Sequence, residues 1–92
     1  MQIDLKKFGT TLTSRSAGKE ALAAFQPFLK DVSSNEIIEI NFDGINTFSP
    51  SWADEFITPL MTMHPGKVHM LPTENPSVKI TLELLKSIGK PE

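Results

Sequence analysis

Between Ile38 and Asp43 apolar and polar residues alternate. Ile38, Ile40 and Phe42 fall on one side of an extended chain, and Glu39, Asn41 and Asp43 on the other. A period of two with one dry side and one wet side predicts a half-buried strand. Two further stretches carry the same signal: Gln2 to Leu5, with Ile3 and Leu5 together, and Lys67 to Leu71 around Val68 and Met70. A short run from Thr10 to Thr13 centred on Leu12 follows a turn at Gly9, so the first two strands read as a hairpin.

The period changes to that of a helix in three places. Ala17, Ala21, Leu22, Phe25, Phe28 and Leu29 predict a helix from about Ser16 to Gln26, with an N-cap in Ser14-Arg15-Ser16 and Pro27 at its end. After the polar loop 31–35, the third strand and the loop 44–48, Trp52, Phe56, Ile57, Leu60 and Met61 form a second stripe. It opens at Ser49-Pro50-Ser51 and is interrupted by Pro59. Asn75-Pro76 opens a third helix as cap and first residue. Its stripe is Val78, Leu82, Leu85 and Ile88, and Gly89 and Pro91 stop it.

The order strand, strand, helix, strand, helix, strand, helix predicts an α/β fold in one domain, residues 1–92, with a four-stranded mixed sheet. The strands alternate and are not apolar throughout, so the helices are expected mainly on one face. The other face, with Glu39, Asn41, Lys67 and His69, is left to water or a partner.

Composition narrows the chemistry. With 39% hydrophobic and 22% charged residues the chain is an ordinary globular domain. At 92 residues its core is thin, which argues against a deep enclosed active site. Cysteine is absent, which removes disulfides, thiol nucleophiles and thiolate metal sites. Nine basic against eleven acidic residues, with the lysines scattered, disfavours nucleic acid. No apolar run approaches a membrane span and the N-terminus lacks the apolar stretch of a leader, so the expectation is a cytoplasmic protein.

The segment from Asp43 to Phe56 is similar to the STAS-like domain family, relatives of the sulfate transporter and anti-sigma-factor antagonist domain. The marks are Phe8-Gly9 and Ser14-Arg15, then Asp43-Gly44-Ile45, then Ser51-Trp52-Ala53-Asp54-Glu55, the last being the most specific. The resemblance covers nearly the whole chain. It implies a single-layer sheet backed by helices and a non-enzymatic regulatory role, binding a cytoplasmic partner such as an ATP-binding kinase of the histidine-kinase-like fold, with no cofactor. In anti-sigma-factor antagonists a switch serine lies in an Asp-Ser-Ser-Gly motif at the start of the helix after the central strand. Counting from Gly44, these positions are held by Ser49, Pro50, Ser51 and Trp52, so the switch position has no hydroxyl.

Candidate partner-binding residues are therefore Thr47, Phe48, Ser49, Pro50, Ser51, Asp54 and Glu55. Ser49 and Ser51 are candidate phosphoacceptors, since a helix N-terminus stabilises phosphate. The plainer role for either is capping: Ser51 with Asp54 fits a capping box, and Ser49 before Pro50 fits a cap with proline at the first helical position. Asp54 and Glu55 point about 100° apart on a helix, so they do not face each other as an acid–base pair. Arg15 either pairs with Asp54 or Asp43 and fixes two helix starts, or is a solvated charge. Trp52 is either an interface anchor or core. His64 and His69 lack a third ligand, and no metal is expected. The alternative to a regulatory domain is a homo-oligomeric module pairing through the open sheet face or an edge strand. A small enzyme using Asp54, Glu55 and His64 ranks last, because nothing sets their spacing.

Overall fold

The computed structural model describes residues 1–33 and 35–87; Ser34 and residues 88–92, which include Ile88, Gly89 and Pro91 at the expected end of the third helix, lie outside the described residues. In chain order the elements are β1 (Gln2–Asp4), a 3-10 turn (Leu5–Phe8), β2 (Thr11–Leu12), α1 (Arg15–Leu29), β3 (Ile38–Asn41), β4 (Thr47–Phe48), α2 (Pro50–Met63), β5 (Val68–Met70) and α3 (Pro76–Ser87).

The expected four-stranded mixed sheet is replaced by two parallel sheets. One has the order β1-β3-β5, and the other pairs β2 with β4. The expected hairpin is not formed. The 3-10 turn carries the chain onward from β1, and α1 then returns it so that Ile3 lies opposite Ile40 and Leu12 opposite Phe48. Parallel neighbours need such a crossover, which α1 supplies between β1 and β3 and α2 between β3 and β5. β1 with β2 and β3 with β4 are successive stretches of two chain segments that pair side by side, and β5 joins only the first sheet. Between β3 and β4 the chain turns at Phe42–Ile45, where the Ile45 N–H donates to the Phe42 carbonyl at 3.1 Å. Gly44 takes φ +83° there, the conformation required at the third position of a type II turn.

One core serves all elements. Ile3, Ile38 and Ile40 on the sheet meet Phe25 of α1, Phe56 and Leu60 of α2, and Val78 and Leu85 of α3 in a single buried cluster. All three helices thus contribute to the dry side of the strands, while Gln2 and His69 are exposed and Asp4, Glu39 and Asn41 half-buried. On that polar side Asp4 accepts from Gln2 at 2.8 Å and from Asn41 at 2.9 Å, and these bonds hold its carboxyl below the usual range.

Both helical prolines sit inside their helices, and the first helix is longer than the sequence predicts. Pro27 falls within α1, which starts at Arg15 behind its cap Ser14 and runs to Leu29. Pro59 falls within α2, which runs to Met63. Burial of Phe25 and Leu29, and of Leu60, keeps these turns packed despite the missing amides. The six phenylalanines and Trp52 form one connected aromatic network, with Trp52 stacked on Phe56 at 4.9 Å and Phe8 touching Phe25, Trp52 and Phe56.

Candidate functional site

The start of α2 is fixed from three sides. Pro50 occupies the first helical position, and Ser49 is the cap: its hydroxyl accepts from the Trp52 N–H at 3.3 Å and donates to the Thr13 carbonyl at 2.7 Å. Ser49 therefore both caps α2 and ties it to the end of β2, and its backbone N–H extends the ladder to the Leu12 carbonyl. Of the two serines weighed as caps, Ser51 is the one inside the helix. Replacing Ser49 by alanine is expected to cost about 1–2 kcal/mol, the range for lost caps, against a change near zero for Ser51→Ala. Urea denaturation of the two variants checks this, and equal midpoints would contradict the assignment.

The loop ahead of α2 is held by α3. The Asn75 side chain donates to the carbonyls of Ile45 at 2.7 Å and Asn46 at 3.2 Å, while its oxygen accepts from Ser77 N–H and Val78 N–H as the cap of α3. Ser77 accepts from the Phe48 N–H at 3.0 Å, and the buried Thr81 hydroxyl donates to the Phe48 carbonyl at 2.6 Å. These side chains take the place of a further strand along β4, whose backbone would otherwise be an unpaired edge. Sequence reasoning identified Asn75 as a cap but missed Ser77 and Thr81, because a polar residue within a helical stripe gives no sign of its distant acceptor.

Arg15, in the first turn of α1, reaches across to α2. Its Nη1 lies 2.6 Å from Glu55 Oε2 and 3.2 Å from Asp54 Oδ2. Hydrogen bonds to Glu55 first and Asp54 second raise the Arg15 pKa above its ordinary value. Of the two carboxylates proposed for Arg15, Asp54 is the one engaged. Asp43 is exposed in the turn and its N–H donates to Asn41 Oδ1. Glu55 joins the pair because two adjacent carboxylates that diverge on one helix still converge on a guanidinium from another.

The candidate residues divide by exposure. Thr47 and Pro50 are exposed, and Ser49, Ser51, Asp54 and Glu55 half-buried. Phe48 and Trp52, at 1% exposure each, belong to the core. Phe48 is thus corrected from a partner contact to a support beneath the loop: in β4 Thr47 is exposed, while the phenylalanine points inward against Phe42 and Trp52. Trp52 is core and not an anchor.

A family model described as a STAS-like domain of unknown function (DUF4325) matches residues 25–81. The chain belongs to this family. The match takes in β3, the Asp43-Gly44-Ile45 turn, all of α2 and half of α3, and begins after Phe8-Gly9 and Ser14-Arg15. No curated protein and no solved structure matches the chain. Among the described residues of this STAS-like domain, no helix is long and apolar enough to cross a membrane. No group of three or more His, Cys, Asp or Glu among them is placed to hold a metal ion.

Proposed function

We propose that this STAS-like domain is a non-enzymatic, cytoplasmic regulatory module that docks a protein partner, a histidine-kinase-like ATPase, at the start of α2. The surface consists of Thr47, Pro50 and Ser51 with the Asp54–Glu55 pair oriented by Arg15. The observation that carries the reading is the state of the position that the resemblance aligns with the antagonists' switch serine. Pro50 has no hydroxyl, and the neighbouring Ser49 hydroxyl is already used as donor and acceptor. Phosphorylating Ser49 would remove the proton it donates to the Thr13 carbonyl and set a phosphate against that carbonyl, and a phosphate on Ser51 would stand one turn from Asp54 and Glu55, adding about 1.5 to 2 negative charges beside them. The nucleotide state of the partner then sets affinity. Homo-oligomeric pairing through the open sheet face fits less well, because that face presents Gln2, Asp4, Glu39, Asn41 and His69, whereas self-association favours apolar cores.

Reversing the surface charge tests the docking site. The double variant Asp54→Lys, Glu55→Lys is expected to bind the ATPase at least about tenfold more weakly, a loss of about 1.4 kcal/mol. The fold should tolerate it, since an ion pair whose guanidinium is open to solvent is screened and adds little to stability. Unchanged affinity by titration calorimetry would move the interface elsewhere.

A further inference from the structure

At the opposite end of α2 an apolar groove of about 950 Å³ opens beside β5. Its apolar wall comes from Ile57 and Met61 of α2, Val68 and Met70 of β5, and Leu82 and Leu85 of α3. Among the described residues, the ionisable ones lining it are His64 and Lys86, with no carboxylate. β5 is the last strand of its sheet. The Lys67 carbonyl accepts from Ile38 N–H at 2.8 Å and the Leu71 N–H donates to Ile40 at 2.9 Å, so residues 67, 69 and 71 direct their backbone groups toward β3. By alternation, Val68 and Met70 direct theirs away from β3, along the edge next to the groove.

The side chains of β5 specify what kind of segment fits that edge. Val68 and Met70 lie in register with Ile38 and Ile40 on the helix side, whereas His69 lies beside Glu39 on the open side, with Lys67 preceding it at the same spacing. A strand laid along β5 would therefore meet apolar neighbours on one face and, on the other, the Lys67 ammonium and the His69 imidazole, both of which can donate hydrogen bonds to a carboxylate. Extended peptides join exposed edges through main-chain hydrogen bonds and gain specificity from pockets for alternate side chains. We propose that β5 and its groove form a second docking site, taking as an added strand an extended segment of a partner protein with apolar residues alternating with acidic ones. The site lies at the far end of α2 from the ATPase surface and stands or falls separately from it.

A capped hexapeptide of three valine–glutamate repeats is the probe, titrated to about 1 mM against the full chain and followed by NMR. The expected result is saturable shifts confined to the backbone amides of residues 67–71 and to the side chains of Met61, Met70 and Leu82. Met70→Pro removes an outward N–H while leaving the β3 ladder intact, and is expected to weaken binding at least about tenfold. The double variant Lys67→Glu, His69→Glu keeps every backbone donor. It should lose the valine–glutamate peptide and bind three valine–lysine repeats. No shifts at the highest concentration, shifts at the start of α2, or a preference unaltered by the charge exchange would overturn the proposal. So would a concentration-dependent dimer whose shifts map to β5 without peptide, since a second copy would then occupy the edge.

Discussion

Trp52→Ala is expected to destabilise the protein by about 3–5 kcal/mol, the range for removing a buried large aromatic. Trp52 is 1% exposed and lies at the crossing of the network, stacked on Phe56 and in contact with Phe8 and Phe48. Its removal leaves a cavity lined by the 3-10 turn, β4 and α2 at once, so no single element can collapse to fill it. Domains of this size have roughly 5–15 kcal/mol in total, and each kcal/mol moves the melting midpoint by about 4–8 °C. A fall of more than about 12 °C is expected by calorimetry. Trp52→Phe, which retains a ring against Phe56, should lose clearly less. A fall under about 4 °C for Trp52→Ala would show that the network does not carry the core.

The second large effect is expected at Gly18. It is buried in α1 where that helix crosses α2, and a Cβ there would stand 2.7 Å from the Trp52 carbonyl oxygen and 3.1 Å from its Cα. Both are backbone atoms, so relief requires the helices to separate. Alanine in a helix interior gains about 1 kcal/mol over glycine, yet overpacking against backbone costs typically about 1–3 kcal/mol. Gly18→Ala is therefore expected to be net destabilising by about 1 kcal/mol, and Gly18→Val to reach or exceed about 3 kcal/mol. The same displacement would pull Arg15, one turn earlier, away from Glu55, whose Cβ is also 3.2 Å from the added atom. Urea midpoints measure both variants; a Gly18→Ala protein more stable than the parent would mean that the crossing has slack.

The period of the sequence sufficed for the helices and for the buried side of β3, because burial of Ile38, Ile40 and Phe42 follows from local alternation. Strand pairing did not follow from it. Gly9 between two short runs is a local hairpin signal, whereas the actual partner of Ile3 is Ile40, brought there by a whole helix. β4, with only Thr47 and Phe48, is too short for any period; it exists because β2 pairs with one edge and Ser77 and Thr81 satisfy the other. At the candidate site residue type narrowed the cap to Ser49 or Ser51 and offered Arg15 as a partner for Asp54 or Asp43 or as a solvated charge, and geometry made the choice. The participation of Glu55 and the burial of Phe48 were not, since both depend on the angle between elements. Gly18 carried a readable sign that went unused: a glycine inside an amphipathic helix commonly marks close packing.

The proposed function places control in the nucleotide state of the partner and not in a phosphate on this domain. The measurement is to incubate the protein with its candidate ATPase and ATP, then determine intact mass and binding in ATP and in ADP. The expected result is an unchanged mass with affinities that differ between the two nucleotides by at least about tenfold. An added phosphate on Ser49 or Ser51 that abolishes binding would contradict it.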